Sequence, residues 1–225
     1  MSYIYLSIIL LLSLLTGQIA GQSSSTPTAA TPQYCNESSS MAIDVNQISG
    51  IWYVLATNPA PKGNYLCAQV NLTVVPNNGL NISLTYSNTP TYPWVNYTMY
   101  SNTVVQANNS AGLNVSLTMN GNSYPSTTYK VLDTNYVSFT LICGYTNISD
   151  VSTYFATVLT RDRYVNSTIL TGYETMAQAN YSLFSNKSMT TISQTASCSA
   201  NDGVLTIQMV SFLMVLMYAV IALFC

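Results

Sequence analysis

The chain has 225 residues, yet it carries only five basic and seven acidic side chains and no histidine. With no basic patch, nucleic acid has no electrostatic footing. Without histidine the commonest general base and metal ligand, histidine-ligated haem and any Ser/His or Cys/His nucleophile are missing, and the ten glycines form no phosphate-binding loop. The expectation is a protein that is not an enzyme and needs no cofactor or metal.

Residues 1–21 contain an apolar run, Ile8-Ile9-Leu10-Leu11-Leu12 extended by Leu14 and Leu15, followed by the small residues Gly17, Ala20 and Gly21. This reads as a secretory signal peptide, although it lacks a basic n-region, and the run is too short for a membrane span. Residues 22–33 are rich in Ser, Thr and Pro and read as a disordered linker. A folded domain is expected over 34–198. It starts where polar sequence gives way to alternating strand-like sequence at Gly50-Ile51-Trp52-Tyr53.

Within that domain, runs rich in Val, Ile, Leu, Tyr and Thr are separated by turn clusters such as Pro76-Asn77-Asn78-Gly79 and Asn120-Gly121-Asn122. Strands are predicted near Trp52–Thr57, Cys67–Val75, Leu80–Ser87, Trp94–Val105, Leu113–Met119, Thr127–Leu132, Tyr136–Tyr145 and Thr153–Thr160. Ile169, Leu170, Tyr173, Met176 and Ala177 then recur at helical spacing, predicting a helix near Ser167–Ala179, with a short strand near Thr190–Gln194 to follow. Eight consecutive, short-looped strands predict an all-β fold: an antiparallel up-and-down barrel with one C-terminal helix packed outside. Closure removes sheet edges and encloses room for one small ligand.

Residues 199–225 end the chain. Val204 to Cys225 carries no charge, and as a helix this stretch would reach ~33 Å, enough to cross a bilayer. No Lys or Arg follows to hold a cytoplasmic end. The tail therefore matches a glycolipid (GPI) attachment signal better than a single-pass anchor. Of the five cysteines, Cys225 falls in this tail, leaving Cys35, Cys67, Cys143 and Cys198 in a chain routed to an oxidising compartment. Two disulfides are expected, and sequence alone leaves their pairing open. If Cys198 is bridged, attachment occurs after it, at Asn201 or Ser199. The expected location is the extracellular side of the plasma membrane, with a shed or secreted form also allowed.

With so few charges, solubility must come from sugar. Sequons stand at Asn36, Asn71, Asn81, Asn96, Asn108, Asn114, Asn147, Asn166, Asn180 and Asn186, each a candidate glycan site and hence a surface position. Because a glycan cannot point into a barrel and side chains alternate faces, the sequons orient the strands. Asn71 outward puts Val70, Leu72 and Val74 inward. Asn81 outward puts Leu80, Ile82, Leu84 and Tyr86 inward. Asn96 assigns Val95, Tyr97 and Met99 to the interior, and Asn114 assigns Val115, Leu117 and Met119. The same frame sends Ser83, Thr85, Thr98, Ser116 and Thr118 outside.

Gly50-Ile51-Trp52 opening the first strand, Cys35 ahead of it, Cys67 opening the second, Cys143 in the seventh and Cys198 after the helix together resemble a lipocalin of the apolipoprotein D and Lazarillo branch. Val131-Leu132-Asp133-Thr134-Asn135-Tyr136 resembles that family's Thr-Asp-Tyr turn, with Asn135 in place of aspartate, which keeps turn chemistry and removes a charge. Arg161 resembles the arginine that stacks over the signature tryptophan, with Arg163 a weaker alternative. The resemblance implies bridges Cys35–Cys143 and Cys67–Cys198, a barrel base built on Gly50, Trp52 and Arg161, and a GPI anchor. It also implies extracellular binding or transport of a small hydrophobic ligand such as a fatty acid, sterol or retinoid. The ligand-binding set would be the inward residues Val70, Leu72, Val74, Ile82, Leu84, Tyr86, Tyr97, Met99, Val115, Leu117 and Met119. A second reading makes the barrel the scaffold of a cell-surface recognition or adhesion glycoprotein, with a receptor or other protein as partner.

Overall fold

The structure is a computed structural model that describes residues 33–89, 96–105, 110–184, 189–195 and 198. The signal peptide, nearly all of the linker, the GPI candidates Ser199 and Asn201, the tail, Val95, and the sequons Asn108 and Asn186 lie outside the described residues.

A four-residue helix, α1 (Val45–Ile48), leads into β1 (Gly50–Asn58), β2 (Leu66–Val75), β3 (Gly79–Ser87) and β4 (Asn96–Val104). Next come β5 (Leu113–Val115), β6 (Thr118–Met119), β7 (Asn122–Ser123), β8 (Thr127–Thr134), β9 (Phe139–Tyr145) and β10 (Phe155–Thr160). The helix α2 (Ser167–Gln178) and β11 (Thr190–Thr191) complete the described elements. The strands form one antiparallel sheet in the order β5-β8-β9-β10-β1-β2-β3-β4-β6-β7, with β11 added to β1. Leu113–Val115 pairs with β8 at one edge, and Thr118 pairs with Tyr100 of β4 at the other. One short run thus meets both edges of a curled sheet.

The eight predicted strands and the short strand expected near Thr190–Gln194 correspond to eleven segments among the described residues. The predicted Leu113–Met119 strand divides because its two halves serve different partners. Beyond it, Asn120 and Gly121, with φ of 51° and 80°, make the left-handed pair that a tight hairpin requires, and β7 returns against β6. Tyr136 does not begin β9. Asn135 Oδ1 accepts from the amides of Val137, Ser138 and Phe139 at 3.2, 2.8 and 3.1 Å, so its side chain builds the turn and delays the strand to Phe139.

Side-chain alternation gives the sheet two packed faces. Inside the curl lie Trp52, Val54, Leu80, Val115 and Leu159. On the outside Leu55, Leu141, Val158 and Phe184 pack with Leu170 and Ala177 of α2. A bulge between Val54 and Ala56 lets Leu55 and Ala56 both join the outer cluster before Thr57 turns inward.

The helix begins at Asn166, whose Oδ1 accepts from the Ile169 amide at 2.9 Å, a cap worth about 1 kcal/mol. A glycan on Nδ2 leaves that acceptor free. Tyr173 stacks on Phe139 with centroids 4.8 Å apart. Glu174 is buried on the helix face shared with Leu170 and Ala177, and desolvation raises its carboxyl pKa. The native state therefore holds that proton more tightly than the unfolded chain, and stability is lost as pH rises from the ordinary carboxylate range through the raised value. Glu174→Gln is expected to stabilise the protein at neutral pH by up to about 1 kcal/mol. Urea unfolding across pH should show the gain vanishing on acidification.

Both cysteine pairs join as the resemblance implied. Cys35–Cys143 and Cys67–Cys198 have Cα separations of 5.8 and 5.3 Å. The first fastens the segment ahead of α1 to β9, and the second fastens the start of β2 to the chain after β11.

Candidate functional site

One end of the curl is sealed by Gly50 and Trp52 of β1 together with the sequence-distant Arg161. Trp52 is wholly buried, and its Nε1 donates to Ile48 O at 2.7 Å. The Arg161 guanidinium lies 3.8 Å from the centroid of the Trp52 ring. Its Nε donates to Tyr136 O at 3.2 Å, Nη1 to Ile51 O at 3.1 Å and Nη2 to Gln47 O at 2.8 Å. The cation therefore both covers the ring and ties β1, α1 and the β8–β9 turn together. Gly50 is required twice over. Its φ is 98°, and a Cβ there would lie 3.0 Å from Arg161 Nη1. Arg163 takes another place, 4.5 Å over the Tyr53 ring, with Nη2 donating to Gln69 Oε1 at 3.2 Å.

Behind Trp52 lies a cavity of about 380 Å³, within the usual range for small-molecule sites. It extends from Ile48 and Trp52 at the sealed end to Pro59, Pro61 and Tyr65, which follow β1 at the other. Of the sequence-predicted set, Val70, Leu72, Ile82, Leu84, Val115 and Leu117 line it.

The other five residues of that set lie off the cavity wall. Val74 is 38% exposed, two residues past the last β1–β2 pair, Gly50 with Leu72. Tyr86 and Tyr97 stand opposite one another on β3 and β4. With Tyr65 they form an aromatic row, with centroids 4.8 and 5.7 Å apart. Met99 pairs with Leu84 but does not reach the cavity, and Met119 belongs to the β6–β7 hairpin. Parity assigns a face correctly along a strand but says nothing of height along the curl.

Sequence reasoning missed most of the wall. Tyr129 and Val131 of β8, Thr140 and Ile142 of β9, and Thr157 and Leu159 of β10 all line the cavity. These strands carry no sequon, so nothing anchored their orientation. Extending the frame across the ladders from Trp52 would have done so. Every sequon asparagine among the described residues (Asn36, Asn71, Asn81, Asn96, Asn114, Asn147, Asn166 and Asn180) is exposed. Among the described residues no group of acidic, Cys or His side chains could hold a metal ion.

No family model and no curated protein sequence matches this chain. Solved structures do resemble it. Insecticyanin from the tobacco hornworm Manduca sexta superposes with TM-score 0.57 at 12% identity, over 75% of this chain and 90% of that one. Lobster apocrustacyanin A1 gives TM-score 0.51 at 12% identity, covering 73% and 94%. The major allergen Per a 4 from cockroaches gives 0.51 at 15%, covering 72% and 96%. At such identities the likeness establishes the fold, the curled antiparallel sheet of lipocalins.

Proposed function

We propose that this chain is a lipocalin of the apolipoprotein D and Lazarillo-like branch that binds and carries a small hydrophobic ligand. In this reading it works outside the cell, glycosylated at its exposed sequons and held to the plasma membrane by a GPI anchor on Asn201 or Ser199. It acts by binding rather than by catalysis. The observation that carries the reading is the apolar cavity of about 380 Å³ behind Trp52. Burying roughly 400 Å² of apolar ligand surface there yields about 10 kcal/mol before the losses of association. The branch assignment is supported by the two bridges and by the Trp52–Arg161 contact. The anchor is supported by the uncharged, largely apolar stretch from Val204 to Cys225.

One experiment tests anchor and cargo together. Phosphatidylinositol-specific phospholipase C is applied to intact cells, and the released protein is extracted and analysed by lipid mass spectrometry. Release of the protein with a stoichiometric small apolar molecule is expected. Protein that stays on the cells would overturn the anchor, and released protein free of such a molecule would count against carriage.

A further inference from the structure

Among the described residues the wall of the cavity contains no charged side chain. Its polar side-chain groups are the hydroxyls of Thr57, Thr140, Thr157, Tyr65 and Tyr129 and the Trp52 indole N–H, which is committed to Ile48 O. Three of the described cations are engaged elsewhere, and the fourth, Lys62, lies off the wall. Arg161 gives its guanidinium to three backbone carbonyls at the sealed end, and Arg163 pairs with Gln69. Lys130, which alternates with the cavity-lining Tyr129 and Val131, donates to Asn36 O and Ser38 O. Lys62 is exposed next to Pro61, in the loop at the end opposite Trp52. A carboxylate inside this chamber would lose its hydration and gain no counter-charge, which is far costlier than leaving one neutral hydrogen bond unmade.

Two phenols have hydrogen-bonding capacity to spare. Tyr65 packs on Tyr86, and Tyr129 packs edge-on against Phe155 with centroids 5.4 Å apart. Neither hydroxyl has a hydrogen-bond partner among the described residues. Burial raises both phenol pKa values, and Tyr129 raises that of Tyr65 further, so both stay uncharged O–H groups at physiological pH. Both side chains are half-buried on the cavity wall, where hydroxyls are normally partnered; a ligand in the chamber can supply the missing partner.

We infer that the cavity takes an uncharged, mainly apolar molecule bearing a hydroxyl or carbonyl oxygen, which Tyr65 and Tyr129 address, and that it discriminates against the corresponding carboxylate. This rests on the reading of the cavity as a ligand site. It narrows the class from hydrophobic molecules in general to neutral ones.

Retinol and retinoic acid share one apolar body and differ at the end group, so the pair isolates charge. Each is titrated by fluorescence into the delipidated, glycosylated protein as secretory cells produce it. At about pH 7.5 retinol is expected to bind at least about tenfold more tightly than the acid. Near pH 4, where the carboxyl gains its proton, the gap should shrink to about threefold or less. The double variant Tyr65→Phe/Tyr129→Phe, which keeps the ring contacts, should weaken retinol by about three- to tenfold.

Equal or tighter binding of retinoic acid at neutral pH, especially if Lys62→Gln then weakens it, would overturn the neutral-ligand assignment while leaving the cavity a ligand site. Unchanged retinol affinity in the double variant would overturn the role of the two hydroxyls. Failure of both probes to bind would remove the ligand-site reading itself, and this inference with it.

Discussion

Trp52→Ala is expected to destabilise the protein by about 3–5 kcal/mol, the range for truncating a fully buried large aromatic. Its ring closes the curl between the cavity and the Arg161 guanidinium. Its loss would merge the cavity with the sealed end, leave Ile48 O without its donor and strip the cation of its π face. Trp52→Phe keeps a ring and should cost about half as much. Arg161→Lys should also fall short. A single ammonium cannot reach Gln47, Ile51 and Tyr136 carbonyls as the planar fork does, and a loss of about 2 kcal/mol is expected. Urea unfolding with the disulfides intact measures all three. A loss below about 1 kcal/mol for Trp52→Ala would mean the sealed end contributes little.

The second large effect separates the two bridges. They close loops of 108 and 131 residues, and chain entropy assigns each about 5 kcal/mol, slightly more to Cys67–Cys198. The structure reverses that order. Lys130 is only 4% exposed, and burial lowers its pKa. Its Nζ donates to Asn36 O at 3.2 Å and Ser38 O at 2.6 Å, both in the segment that Cys35 fastens to β9. Releasing that segment frees the acceptors and leaves a buried ammonium without hydrogen-bond partners, over the Tyr145 ring at 5.8 Å alone, a further loss of about 1–3 kcal/mol. Cys35→Ser/Cys143→Ser should therefore be less stable than Cys67→Ser/Cys198→Ser, and adding Lys130→Met to both should erase the difference. Equal stabilities in the paired-serine variants would show that Lys130 keeps its partners without the bridge.

What the sequence revealed, and what it did not, follows from the range of each signal. Local chemistry was readable: the Asn135 turn, the Asn120-Gly121 hairpin and the Asn166 position that proved to cap α2 are all set by side chains acting within a few residues. Alternation anchored on Asn71, Asn81 and Asn114 picks out Val70, Leu72, Ile82, Leu84, Val115 and Leu117, which line the cavity. Val74, Tyr86, Tyr97, Met99 and Met119 lie off the wall, because height along the curl depends on register across the sheet. Thr57 was missed for a related reason: the bulge after Val54 resets parity, and no residue type announces it. The Tyr65 and Tyr129 hydroxyls could not be singled out among eighteen tyrosines. Their significance lies in lacking partners, a property of the folded arrangement alone.

The central claim is that the curled sheet encloses a working ligand site. The most direct test is a retinol titration of the delipidated protein, wild type beside Leu84→Trp/Leu117→Trp, in which two indoles fill the chamber. Saturable one-to-one binding to the wild type is expected, with affinity in the filled variant lower by at least about tenfold and its unfolding midpoint little changed. Equal affinity in the two proteins, or no saturable binding to the wild type, would contradict it.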